Sequence, residues 1–121
     1  PKRASAEDLF LTVMQTTDLL APARLPVERI DAGDRTGCAL AGPDATWIVL
    51  LRRDGRRSAQ SVTVAVPGDS PGRVLVTDLA PGRWEARRAG AADVIALDVA
   101  DASGAAWFEG PAGTWTLNRS R

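Results

Sequence analysis

The sequence predicts an all-β chain, a two-sheet antiparallel β-sandwich of about eight to ten short strands with an immunoglobulin-like character. Three observations predict it. Turn residues recur about every ten positions, which is the spacing of sandwiches and barrels. Several segments between the turns alternate apolar and polar, as strands with one wet face do. No segment carries a convincing helical period.

The punctuation consists of Ala32-Gly33-Asp34, Gly42-Pro43-Asp44, Arg53-Asp54-Gly55, the run Pro67 to Gly72, Pro81-Gly82, Ala89-Gly90, Asp101 to Gly104 and Gly110 to Gly113. Glycine reaches positive φ, proline fixes φ near −65°, and Asp or Ser bonds its own backbone. These signals divide one core rather than several. At 121 residues, 45% of them hydrophobic, the chain has the size of a single domain. Residues 1–8 are expected to be a disordered or linker segment and residues 9–121 a single sandwich domain. The start lacks both an initiator Met and the apolar stretch of a signal peptide, so it reads as a fragment or a processed product.

Taken in order, Ser5-Ala6-Glu7-Asp8 suits a cap on a short helical turn. Leu9–Gln15 has the β-branched and aromatic content of a strand. Thr16–Pro26, with two prolines, reads as a crossing loop towards a strand around Val27–Ile30. Thr36–Ala41 follows. Thr46–Leu51 is almost wholly apolar, which predicts a central strand covered on both sides. Ser61–Val66 places Val62, Val64 and Val66 on one face, and Arg73–Thr77 is the next candidate. Arg83–Arg88 sets Trp84 and Ala86 against Arg83, Glu85 and Arg87. Asp93–Val99 and Ala105–Phe108 come next, and Gly113–Asn118 opposes Trp115 and Leu117 to Thr114 and Thr116. Leu79 to Glu85 and Glu109 to Trp115 form a loose repeat of Pro, Gly and Trp, each a tight turn followed by an aromatic plug. Immunoglobulin-like sandwiches use an aromatic at a comparable corner.

Composition removes several functions. Fifteen basic and fifteen acidic residues give zero net charge, so the basic footprint of a nucleic-acid binder is missing and no such partner is expected. No apolar run has the length of a membrane-spanning helix, and no membrane partner is expected either. The chain has no His and no Tyr, which withdraws the commonest general base, the commonest metal ligand and the phenolic acid. The single Cys38 forms neither an internal disulfide nor a cysteine-rich zinc site. No catalytic residue, metal ligand or cofactor is expected.

Three sets of residues are candidates for chemistry. Trp47, Trp84, Trp107 and Trp115 serve either as stacking platforms for sugar rings or as core, and the apolar neighbours of the last three favour core. Of the four, Trp47 has the weakest case for core. Arg52, Arg53, Arg56 and Arg57 flank the Asp54-Gly55 turn, while Arg83, Arg87 and Arg88 share another strand. Arginine forks match carboxylate and sulfate, so Trp47, Arg52, Arg53, Arg83 and Arg87 are the ligand-binding candidates for an acidic polysaccharide. The alternative is a charged face that protects strand edges. Glycosidase-like carboxylate pairs are sought among Asp31, Asp34, Asp93, Asp98 and Asp101, but all lie beside turns and read better as turn formers. Asp69-Ser70 and Ser103-Gly104 make no nucleophile elbow.

One family shares these features. Leu9 to Asp18 resembles the stretch FL-x-V-(L/M)-x-x-(S/T)-D of heparinase II/III-type polysaccharide lyases. Ala45 to Leu51 is similar to a strand of that family, and the corner Leu79 to Trp84 and the hairpin Ala106 to Gly110 resemble its C-terminal sandwich. The resemblance runs from about Leu9 to Leu117. It implies a sandwich of the lyase C-terminal type and a non-catalytic accessory domain that supports the catalytic region or contacts polysaccharide. It further implies a parent chain that performs β-elimination on a uronate polymer, and a secreted or periplasmic location. The family's catalytic Tyr and His lie in a helical toroid and a larger sandwich, so no catalytic position carries over. A free-standing carbohydrate-binding or adhesion module of immunoglobulin-like fold is the other reading of the same residues.

Overall fold

The computed structural model describes residues 11–16 and 25–120. Nine strands form among these residues: β1 (Val27–Ala32), β2 (Arg35–Ala41), β3 (Thr46–Arg52), β4 (Val62–Val66), β5 (Gly72–Val76), β6 (Gly82–Arg88), β7 (Val94–Val99), β8 (Ala106–Gly110) and β9 (Gly113–Arg119). They make two sheets, one of five strands in the order β1-β2-β3-β5-β8 and one of four in the order β4-β9-β6-β7. The all-β sandwich expected from the turn spacing is present, with one departure from antiparallel order. β3 and β5 run parallel, because β4 leaves for the other sheet between them and the chain returns in the same direction.

The alternating strands fold as their pattern dictates. Val62, Val64 and Val66 turn inward from β4, Trp84 and Ala86 from β6, and Trp115 and Leu117 from β9. The five-stranded sheet meets them with Ile48, Leu50, Val74, Val76 and Phe108. Phe108 and Trp115 join the two layers, with ring centroids 5.2 Å apart and planes tilted by 54°.

The Pro, Gly and Trp repeat is a structural repeat as well. Gly82 and Gly113 both hold positive φ, at 131° and 137°. Two residues later Trp84 Nε1 donates to the carbonyl of Ala80 at 2.9 Å, and Trp115 Nε1 donates to that of Pro111 at 3.0 Å. The strands that follow pair with each other, Trp84 opposite Arg119 and Arg88 opposite Trp115, with Ala86 and Leu117 at the centre. Each arginine packs on the other corner's glycine. Arg119 donates to the Pro81 carbonyl, and Arg88 donates to that of Ala112 at 3.4 Å. Both corners therefore share a Gly-x-Trp-x-x-x-Arg unit whose arginine clasps the opposite turn.

Three expectations are corrected. Residues 11–15 of the expected strand Leu9–Gln15 carry no strand, while Leu9 and Phe10 lie outside the described residues, as does the cap at Ser5–Asp8. Gln15 instead bonds across to Leu25, its Nε2 donating to the Leu25 carbonyl at 3.0 Å and its Oε1 accepting from the Leu25 amide at 2.9 Å. β3 is not covered on both sides: Thr46, Ile48 and Leu50 are buried, while Trp47 is 45% exposed. Trp107, expected in the core, is 50% exposed, because its neighbour Phe108 takes the inward position on β8.

One buried cation stands at a sandwich end. Arg35 is 2% exposed, and its guanidinium donates to the carbonyl of Thr77 and, at 3.0 Å, to that of Asp78. Burial pushes this guanidinium below its ordinary value, against the opposing pull of Asp34 and Asp78. Asp78 sits at φ 58° and returns the contact, its carboxylate accepting from the Arg52 amide at 3.0 Å.

Candidate functional site

The two outer faces differ in chemistry. The four-stranded sheet shows Thr63 and Thr116, whose hydroxyls lie 3.3 Å apart, together with Glu85 and Arg87 paired at 3.0 Å and Arg83 beside Asp98 at 3.9 Å. Apart from the exposed Val94 opposite Arg87, that is an ordinary hydrated surface. The five-stranded sheet shows large apolar groups. Strand parity sends Leu40, Trp47, Val49, Leu75 and Trp107 outward, because their neighbours Ala39, Ile48, Leu50, Val74, Val76 and Phe108 fill the core.

Register sorts this outer face into rows across the strands. One row runs Val27, Leu40, Trp47, Arg73, Glu109, and the next Arg29, Cys38, Val49, Leu75, Trp107. At the β5–β8 end the two exposed indoles stand at opposite corners of a quadrilateral, with Arg73 and Leu75 between them. The Arg73 guanidinium carbon lies 4.8 Å from the Trp47 ring centroid, and its Nε lies 3.2 Å from a Glu109 carboxylate oxygen. A guanidinium held over an indole fixes both side chains while leaving part of each in water.

At the β1–β2 end Leu11 and Val13 lie across the same sheet. With Val27, Arg29, Cys38 and Arg53 they line a hollow of about 560 Å³. Leu11, Val13 and Val27 each remain about 40% exposed there.

The ligand-binding candidates read from sequence are not gathered in one place. Trp47 and Arg52 lie at opposite ends of β3, and Arg83 and Arg87 stand on β6, in the other sheet. Arg52 Nε meets Asp34 at 2.7 Å and Asp54 at 3.5 Å, and Arg53 meets Asp31 at 2.8 Å. The Arg52 contact holds the Asp34 carboxyl below the usual carboxylate range, and Asp34 in turn raises the Arg52 guanidinium. Arg52 and Arg53 are thus engaged at a sandwich end with acids of the β1–β2 hairpin, and Arg52 with Asp54 of its own turn as well. Sequence reasoning passed over Arg73 and Glu109. The only signal for them was that Arg73 alternates with Val74 in a short strand, which says nothing about what lies across the sheet.

A two-sheet sandwich with one hydrated and one aromatic outer face defines a small module whose surface chemistry is concentrated on one side. The family model for the heparinase II C-terminal domain matches residues 29–119. The match covers well over half of the chain, so the chain belongs to that family and is the C-terminal domain of a heparinase-like protein. The match begins after Leu9 to Asp18, so the part of the resemblance it supports is the sandwich itself. Comparison with curated proteins finds no match.

Proposed function

We propose that this domain is a non-catalytic accessory module of a heparinase II/III-like polysaccharide lyase, and that it supports the catalytic region of its own polypeptide through the β1–β2 end of the five-stranded sheet. The observation that carries this reading is the placement of residues 11–16. The segment leading into the sandwich lies over β1 and β2, where Leu11 and Val13 share a hollow with Val27 and Cys38, and the Gln15–Leu25 bonds fasten it at the base of β1. In a C-terminal domain, the preceding region enters along that path. The apolar lining gives it something to pack against, at about 25 cal/mol per Å² of surface removed from water. The absence of His and Tyr supports the non-catalytic part, since β-elimination needs a base to take the proton next to the uronate carboxyl.

Two measurements test the reading. The chain alone should form no unsaturated uronate from heparin, heparan sulfate or alginate, and ultraviolet absorbance of the product would expose any turnover. In the longer polypeptide, Leu11→Glu combined with Val27→Glu should lower the melting temperature of the catalytic region by several degrees. Both side chains are already partly exposed, so the sandwich itself should hold its own melting temperature. A catalytic region indifferent to the double substitution would refute the supporting role.

A further inference from the structure

We infer that the other end of the same sheet, built by Trp47, Arg73, Leu75 and Trp107, is a binding platform for an acidic polysaccharide chain. The choice of a polysaccharide as ligand rests on the accessory-domain reading above; the platform itself rests on the geometry. Trp47 and Trp107 are the two exposed indoles, and both stand on the outer face of the five-stranded sheet. They are two strands apart and one row out of line. With strands about 4.8 Å apart and a rise of about 3.3 Å per residue, their backbones are separated by about 12 Å. That separation is more than twice the spacing of neighbouring strands, so one sugar ring does not bridge both indoles. Two indoles at this spacing can meet different rings of one chain, whose apolar faces match the indole faces, Trp47 offering the face that the Arg73 guanidinium does not cover.

Arg73 supplies the charge between them. Its Nε faces Glu109, and its terminal amino groups meet no acceptor among the described residues, so they remain able to fork a carboxylate or sulfate. The same arginine argues against a dry protein partner at this end. Covering the Arg73–Glu109 pair with apolar surface would strip water from both charges at a cost their attraction does not reliably return, whereas a hydrated polymer leaves the pair wet. The platform lies on β3, β5 and β8, away from the β1–β2 hollow, so polymer and catalytic region need not compete for it.

The tryptophans also provide the readout. Trp84 and Trp115 are fully buried, so acrylamide quenches chiefly Trp47 and Trp107. Electrophoresis of the whole chain in gels containing heparin or hyaluronan should retard it, and either polymer should shield the quenchable emission; dextran should do neither. Trp47→Ala and Trp107→Ala should each weaken retardation about tenfold, and Arg73→Gln should abolish the advantage of heparin over dextran. The quenching result on the unaltered chain stands whether or not a variant folds. The inference is overturned if no acidic polymer retards the chain, if dextran binds as well as heparin, or if the Trp47→Ala, Trp107→Ala double variant binds unchanged. It is overturned too if the exposed indoles become shielded in the longer polypeptide without any polymer, which would make this end a protein contact. Any of these results leaves the accessory role intact, whereas lyase activity in the isolated chain would remove that role and leave the platform standing.

Discussion

Replacing Trp115 by phenylalanine should cost about as much as replacing Trp84 in the same way, because the two residues occupy equivalent corners. Each indole is fully buried and each donates its Nε1 proton to the carbonyl four residues before it. Phenylalanine removes about 40 Å² of buried ring, about 1 kcal/mol at 25 cal/mol per Å². It also takes the Nε1 donor from the carbonyl of half-buried Ala80 or of exposed Pro111, where water replaces part of the bond, at about 0.5–1.5 kcal/mol. The sum is about 2 kcal/mol. A chain of 121 residues has a stability of about 0.05–0.15 kcal/mol per residue, so both variants should fold. With a urea m-value of about 2 kcal/mol/M, each midpoint should fall by about 1 M. Trp47→Phe and Trp107→Phe, at exposed positions, should stay within about 0.5 kcal/mol of the parent. Midpoints for Trp84→Phe and Trp115→Phe that differ by more than about 0.5 M would refute the equivalence of the corners.

Arg35→Ala should destabilise by about 2–4 kcal/mol in urea titration, because the carbonyls of Thr77 and Asp78 lose their buried donor; Arg35→Lys should recover only part, since one ammonium does not span both oxygens. For Asp34 the folded pKa lies below the unfolded one, so its contribution is present above about pH 4 and is lost as pH falls through the folded value. Thermal melts taken down to about pH 2 should therefore show a shallower acid decline for Asp34→Asn than for the parent, and an unchanged slope would show that the Arg52 contact adds nothing.

Much of the architecture was legible because turn chemistry and period-2 patterning are local. β6 and β9 each name their buried face outright, since the residues flanking Trp84, Ala86, Trp115 and Leu117 are polar, and β4 does so with its three valines at every second position. β8 does not: Trp107 and Phe108 are adjacent and both apolar, so the pattern leaves open which of them faces inward. Pairing of Val74 with Phe108 and Leu75 with Trp107 decides it, and that pairing is a property of the sheet. β3 misled for a related reason. An apolar outer face looks the same in sequence whether it is buried in the domain or reserved for something outside it. The parallel β3–β5 pair could not be read locally either, because it depends on β4 joining the other sheet. The arginine clusters were visible as charge but not as contacts, since Asp31 and Asp34 reach Arg53 and Arg52 from a different hairpin. Arg73 became notable only when register set it between two indoles.

The paired corners bear on how faithfully the chain assembles. β6 and β9 are separated by the 24 residues 89–112 and must find each other by closing that stretch. A shift of one residue in their pairing would turn Trp84 and Trp115 outward relative to each other's partners and carry both arginines off both glycines together. Misalignment at this pair is therefore all-or-none, with no register in which one corner is satisfied and the other is not.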